Sequence, residues 1–210
     1  MVSRRHREHR PARRAAIREP RRRFLVVCEG KVTEPKYLEG LRRHFSAAIV
    51  ELEIPEDRGD PLTLVQIARR EQDDANALAR RTNEPYHAYD RVWCAFDVDE
   101  HDKRRFNDAK QIAASNGIEL AISNPCIELW LLLHFRENPG EHHRHHLQKM
   151  MREFVTNYDK HVDFAQLIAG YDKAVARAQR LDHEATEQGE PGRNPTTSIY
   201  VLTEAIRWGS

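Results

Sequence analysis

In the stretch Phe24-Leu25-Val26-Val27-Cys28-Glu29-Gly30, a short apolar run stops abruptly at an acidic residue and a glycine. Such a run predicts a strand buried on both faces, as in parallel sheets. Thr33 and Pro35 follow at the spacing of a helix start, and apolar residues then recur at helical intervals. The segment therefore predicts a first strand followed by a helix over about residues 34–46.

The same alternation of strand and helix patterns continues along the chain. Predicted strands span 48–54, 91–96 and 118–122, and predicted helices span 62–81, 104–115 and 126–135. This order predicts an α/β sandwich with a mostly parallel four-stranded sheet, flanked by helices and joined by right-handed crossovers. Amphipathic helices at about 147–158, 163–185 and 196–208 follow, and they predict a C-terminal helical extension packed on the core.

Basic charge is concentrated at the start of the chain, although the formal net charge is only +1. Residues 1–23 contain ten Arg and two Glu, whereas the other 187 residues carry 24 basic and 31 acidic side chains. We interpret residues 1–22 as a flexible Arg-rich arm, which either contacts phosphates or an acidic protein or has no partner. The α/β domain then spans 23–137 and the helical extension spans 138–210.

Cysteine usage and hydropathy bear on the compartment. Cys28, Cys94 and Cys126 are scattered through apolar segments without a C-x-x-C pair, which favours buried thiols in a reducing environment. The sequence has no secretory signal and no apolar run long enough for a membrane span. We therefore expect a cytoplasmic protein that does not associate with membranes.

Acidic residues follow two of the predicted strands, which indicates a metal site. Glu29 follows the first strand, and Asp97 and Asp99 follow the third. Loops at the carboxyl ends of parallel strands converge on one edge of the sheet, so these side chains are expected to meet. Asp97 and Asp99 are two residues apart in extended backbone, so they point to the same side and can share a divalent cation.

Carboxylate oxygens suit Mg²⁺, with Mn²⁺ as a substitute. Glu29 is expected to be a further ligand or a base that activates water. A D-x-D pattern alone is also common in helix caps and loops, and the combination with Glu29 is what favours a metal site.

Two more glutamates are candidates for the same site. Glu128 lies in an almost wholly apolar helix, so a metal, an Arg or a hydrogen-bond network must meet its charge. Glu34 either orients a metal ligand or is a solvated acid in the first turn of a helix. We expect Glu128 to belong to the catalytic set and Glu34 to lie near the substrate.

Other polar residues near the predicted strand ends are weaker candidates. Lys31, His101 and Asn124 are expected to contact phosphate or substrate, although His101 also fits a surface helix start and Asn124 a turn-stabilising role. His134 is expected to be a hydrogen-bonded core or rim residue. Trp93 and Trp130 fall in core segments and are interpreted as packing residues.

Four stretches together resemble the RloB-like family of bacterial defence-associated proteins. They are Phe24–Tyr37 (FLVVCEGKVTEPKY), 95–101 (AFDVDEH), Ile122–Phe135 (ISNPCIELWLLLHF) and Asn194–Thr197 (NPTT). The domain of that family is similar to the Toprim fold of topoisomerases, primases and overcoming-lysogenization-defect nucleases. Toprim sites use a glutamate after the first strand and a D-x-D after the third.

The resemblance implies a function for the acidic residues. It places Glu29, Asp97 and Asp99 in Mg²⁺-supported cleavage of a nucleic-acid phosphodiester, with Glu29 as general acid or base. It also implies an ATPase partner encoded nearby and a role in anti-phage defence by abortive infection. A homodimer and the choice between DNA and RNA stay open.

Two other functions remain open from the sequence. The first is a non-catalytic nucleic-acid-binding or regulatory module that uses the Arg-rich arm. The second is a primase- or topoisomerase-like enzyme that transfers nucleotidyl groups without degrading a polymer.

Overall fold

The computed structural model describes residues 21–46, 49–53, 60–98, 102–156 and 158–209. Three of the sequence-based interpretations fall on other residues. The Arg-rich arm lies almost entirely in 1–20, and the candidate site residues Asp99 and His101 lie in 99–101. These three stay predictions from the sequence.

The described residues form five strands and eight α-helices. The strands are β1 (Arg23–Cys28), β2 (Ile49–Glu53), β3 (Arg91–Asp97), β4 (Ile118–Asn124) and β5 (Thr196–Thr197). The helices are α1 (Thr33–Phe45), α2 (Pro61–Thr82), α3 (Lys103–Asn116), α4 (Ile127–Leu133), α5 (Arg144–Phe154), α6 (Phe164–Leu167), α7 (Tyr171–Glu187) and α8 (Ile199–Trp208). The α/β fold class predicted from the sequence is confirmed.

The strands form one sheet in the order β2-β1-β3-β4-β5. The first four strands are parallel, and β5 pairs antiparallel with the end of β4. The prediction of four strands is therefore wrong by one. The missed strand is only two residues long, so it has too few residues to show an alternating pattern.

Helices cover both faces of the sheet. Alternate residues of each central strand belong to different cores, so Val26 faces one helical layer and Val27 the other. The helices α2 and α3 cover the face of Val27, and α1 with the later helices covers the face of Val26. The chain moves one way from β1 to β2 and the other way from β2 to β3, so crossovers of one hand place α1 and α2 on opposite faces.

The helices after residue 138 share the larger core with the sheet. Trp93 and Trp130 are fully buried in that core together with Leu147 of α5 and Leu202 of α8, so the interpretation of both tryptophans as packing residues is confirmed. The three cysteines are buried and free, as expected from the sequence. None of the helices in the described part of the chain is long and apolar enough to cross a membrane.

Three of the predicted helices differ in their bounds. The helix expected over 196–208 begins at Ile199, because Thr196 and Thr197 form β5. The helix expected to begin at 147 begins at Arg144, because the His143 ring nitrogen accepts a hydrogen bond from the His145 N–H and caps it. The helix expected over 163–185 is divided into α6 and α7 by a turn ending at Gly170. A Cβ at Gly170 would lie 2.1 Å from the carbonyl oxygen of His134, so this close contact requires glycine.

His134 is a buried histidine in a hydrogen-bonded network, as the sequence predicts. Its Nδ1 lies 3.0 Å from the carbonyl oxygen of Trp130, and its Nε2 lies 3.3 Å from the Tyr37 hydroxyl. Burial lowers the pKa of His134 from 6.5 to about 4, against backbone hydrogen bonds that raise it. The folded protein therefore holds this imidazole neutral at neutral pH.

We predict a specific pH dependence of stability for His134. The unfolded chain binds a proton at this residue between pH 6.5 and about 4 and the folded chain does not, so acid destabilises the fold in that window. Relative to His134→Gln, the wild type should lose about 3 kcal/mol of unfolding free energy between pH 7 and pH 4. Urea denaturation of both proteins at pH values across this range measures the difference. If the unfolding free energies of wild type and His134→Gln change in parallel with pH, the prediction is contradicted.

Candidate functional site

The candidate site lies where the chain reverses its direction across the sheet. The strands β1 and β3 are neighbours, yet the crossovers that follow them lead to opposite sides. Loops diverge at such a point and leave a crevice at the carboxyl ends of the strands, which is where ligands bind in open α/β sheets. Glu29 and Asp97 stand at these two strand ends.

A hydrogen bond joins the two strand ends through the Glu29 side chain. The backbone N–H of Asp97 donates to Glu29 Oε2 over 3.0 Å, and the N–H of Glu29 donates to the carbonyl oxygen of Ala95 over 3.0 Å. The Glu29 carboxylate is therefore fixed between β1 and β3. The structure brings Glu29 and Asp97 together, as the sequence predicts.

Glu34 enters the same crevice from the first turn of α1. It is only 6% exposed, and an added Cβ at Gly30 would lie 1.9 Å from its Oε2 atom. The absent side chain of Gly30 is therefore what lets the Glu34 carboxylate lie against the backbone after β1. The alternative of a solvated acid at position 34 is wrong for the described fold.

Glu128 reaches the site from α4 and is 2% exposed. The Tyr158 hydroxyl donates a hydrogen bond to its Oε1 atom over 3.0 Å. Burial, followed by the charge of Glu128, raises the pKa of Tyr158 well above its usual range, so this phenol stays protonated and can donate. The hydrogen-bond network expected around Glu128 thus includes Tyr158.

The segment that carries Tyr158 also contacts the start of α1. The Thr33 hydroxyl donates to the carbonyl oxygen of Lys160 over 3.1 Å. Thr33 is 4% exposed and directly precedes Glu34 in the chain. The C-terminal extension therefore fixes residues on both α1 and α4 that surround the crevice.

A cation from α5 completes the described part of the site. Arg144 Nη2 lies 3.1 Å from Asp97 Oδ2, and the two side chains are 20% and 9% exposed. This ion pair joins the first residue of α5 to the last residue of β3. A partly buried pair of this kind is directional and is screened less by salt than a surface pair.

We refer to Glu29, Glu34, Asp97 and Glu128 as the acidic cluster. Burial raises the pKa of Asp97 well above its usual range, the charges of the other members raise it further, and Arg144 opposes the rise. Burial also raises the pKa of Glu34 to about 7, with smaller contributions from Glu128 and Glu29. Each shift means that the fold disfavours the ionised form of the carboxyl group, an effect that an additional cation would oppose.

The donor chemistry of the acidic cluster fits Mg²⁺. Its atoms are hard carboxylate oxygens, whereas the nearby thiol of Cys126 is buried and its pKa is raised by burial and by Glu128. Within the ranges that the structure describes, no three His, Cys, Asp or Glu side chains form a ready metal-binding group. Mg²⁺ sites commonly use only one or two carboxylates with water and substrate oxygens. Glu29 and Asp97 are therefore the residues that could hold the ion, together with Asp99 from the sequence.

Of the weaker candidates, Lys31 is exposed to solvent and Asn124 makes a structural hydrogen bond. Lys31 is exposed in the loop between β1 and α1. The side-chain amide of Asn124 donates to the carbonyl oxygen of Gly192 over 2.8 Å and thereby holds a C-terminal loop against the end of β4. A substrate contact by Lys31 or Asn124 stays a prediction.

Sequence reasoning missed Arg144 and Tyr158. They lie 47 and 30 residues from Asp97 and Glu128, their partners, in a polar loop and helix without a recognisable motif. The sequence indicated only that Glu128, in an apolar helix, needs a partner for its charge. It does not indicate which of the many basic or hydroxyl side chains is that partner.

We predict that Gly30→Ala displaces Glu34 without unfolding the protein. The clash is with the far end of a flexible side chain, so we expect a change of about 1 kcal/mol or less in unfolding free energy. The Mg²⁺-induced rise in melting temperature should be at least halved, because Glu34 leaves the acidic cluster. In the double variant Gly30→Ala/Glu34→Gln, the Mg²⁺-induced rise in melting temperature should equal that of Glu34→Gln alone. An additive loss would show that Gly30 does not act through Glu34.

Comparison with known proteins identifies the family. The family model described as RloB-like protein matches residues 24–206. Among curated proteins none matches, and among solved structures none matches. The matched region includes the acidic cluster, Arg144 and Tyr158, and it covers most of the chain. The chain therefore belongs to the RloB-like protein family.

Proposed function

We propose that this protein is a Mg²⁺-dependent nuclease with a Toprim-like domain that cleaves nucleic-acid phosphodiester bonds. The observation that carries the proposal is the meeting of Glu29 and Asp97 at the carboxyl ends of adjacent parallel strands. Membership of the RloB-like family supports it, because that family resembles Toprim nucleases in the glutamate and D-x-D positions. Asp99 would complete the D-x-D pair.

The chain's own residues have distinct tasks in this reaction. Asp97 and Glu29 would hold the cation, and the bond from the Asp97 N–H orients the Glu29 carboxylate before substrate binds. Bound Mg²⁺ would supply positive charge for the phosphate oxygens and lower the pKa of a water molecule. As the family resemblance implies, Glu29 would take or give a proton as general acid or base.

Glu34 and Glu128 would act from behind these ligands. Both are almost fully buried, and Glu128 is held by the Tyr158 hydroxyl. Buried carboxylates next to metal ligands orient them and increase their negative charge. We propose that these two residues tune the site and that Lys31, which is exposed beside it, contacts phosphate.

We further propose that the nuclease is the effector of a bacterial defence system and is controlled by an ATPase partner. Family membership is the support for this proposal. The three unpaired cysteines fit a reducing compartment, which favours the cytoplasm as the place of action.

The proposal predicts metal-dependent cleavage that requires both strand-end carboxylates. The purified protein, alone and with its ATPase partner, should be incubated with plasmid, single-stranded DNA, RNA and tRNA in Mg²⁺ or Mn²⁺. Glu29→Gln and Asp97→Asn should each lower the cleavage rate by at least about a hundredfold, because each removes a metal ligand. Gel electrophoresis of end-labelled substrates measures the rates.

A matched control separates the site from general charge effects. Asp108 is exposed on α3, so Asp108→Asn removes one carboxylate charge and should leave the rate unchanged. Cleavage that survives both Glu29→Gln and Asp97→Asn would contradict the proposed function. Cleavage without any divalent cation would contradict it as well.

A further inference from the structure

Arg144 stands at the point where the helical extension meets the acidic cluster. Its guanidinium reaches from the first turn of α5 to Asp97 Oδ2 at 3.1 Å. The side chain is 20% exposed, so part of the guanidinium region is accessible to solvent. Its partner Asp97 is at the same time a proposed ligand of the metal.

Asp97 cannot serve both positive groups equally well. The same carboxylate oxygens attract the guanidinium and a divalent cation, and the two cations repel each other at contact distance. An Arg that pairs with Asp97 therefore competes with metal at this residue. When Asp97 turns to the metal, the guanidinium N–H groups that faced Asp97 can donate to another anion.

A phosphate group is the anion best matched to that position. The planar guanidinium donates two parallel hydrogen bonds to phosphate oxygens, and Arg is the residue most used for this recognition. A phosphodiester bound at the metal would have its non-bridging oxygens close to Asp97, where the Arg144 side chain is partly accessible to solvent. The geometry of the resting ion pair thus positions the Arg for the substrate.

We infer that Arg144 is a catalytic residue that exchanges its partner from Asp97 to a phosphate oxygen of the nucleic-acid substrate. This inference rests on the proposed function and adds to it the group that binds the scissile phosphate. The alternative is an ion pair that only fastens α5 to the sheet. The two accounts differ in what removal of the Arg does to metal affinity.

Calorimetric titration with Mg²⁺ tests the exchange without any turnover. Full-length Arg144→Gln should bind Mg²⁺ roughly three- to tenfold more tightly than wild type, because a competing cation is gone. Arg144→Lys should resemble wild type, because it keeps the charge. Arg152 is exposed on the same helix, so Arg152→Gln is the matched control and should leave Mg²⁺ affinity unchanged.

Oligonucleotide binding tests the second half of the exchange. Fluorescein-labelled 20-nucleotide DNA and RNA strands in Ca²⁺ should bind Arg144→Gln about tenfold or more weakly than wild type. Arg144→Lys should recover only part of that loss, because an ammonium group lacks the planar donor pair. Melting temperatures of all variants establish that each one is folded.

The outcomes separate this inference from the proposed function. Unchanged or weaker Mg²⁺ binding by folded Arg144→Gln overturns the exchange, and so does oligonucleotide binding equal to that of wild type. If wild type cleaves a substrate and Arg144→Gln cleaves it equally well, the inference falls and the nuclease stands. If no polymer is cleaved but both binding results appear, Arg144 is a phosphate-binding residue and the nuclease proposal falls.

Discussion

The burial of several carboxyl groups at one point of the sheet constrains the whole site. The Glu29 carboxylate accepts the N–H of Asp97 and so joins the ends of β1 and β3. Asp97 and two further carboxylates are at most 6% exposed around that bond. Like charges in a poorly solvated crevice oppose folding. The hydrogen-bond donors and the cation around the acidic cluster reduce that cost.

Many of the contacts that reduce this cost come from the C-terminal region. Arg144 of α5 pairs with Asp97, and in the segment between α5 and α6 Tyr158 donates to Glu128 and the carbonyl oxygen of Lys160 accepts the Thr33 hydroxyl. The helices of this region share the larger hydrophobic core with the sheet. The region after residue 138 is therefore part of the site's architecture. A site that keeps such an electrostatically unfavourable arrangement commonly reflects selection for function over stability.

The sequence predicted the parts of the fold that local patterns determine. Apolar runs located β1 to β4, and the acidic residues after β1 and β3 located the site, because parallel strands bring their carboxyl ends to one edge. The strand β5 escaped prediction because two threonines show no periodicity. The break before Tyr171 escaped because it depends on a contact between Gly170 and the distant His134 carbonyl, which only the folded chain creates.

Long-range pairing also limited what could be predicted of the site itself. Glu128 was identified as a charge that needed a partner, but nothing in the sequence relates it to Tyr158. Arg144 lies among histidines whose local pattern gives no reason to place it beside Asp97. Motifs indicate the candidate residues of the site, whereas the residues that restrain them are brought there by the packing of distant segments of the chain.

We propose above all that the acidic cluster holds a divalent cation between β1 and β3. The most direct measurement is a crystal structure of the protein grown with Mn²⁺, with anomalous difference maps that locate the metal. We expect a peak within coordination distance of Glu29 and Asp97 at the carboxyl ends of these strands. A metal bound elsewhere, with the Glu29 and Asp97 carboxylates in contact only with protein, would contradict it.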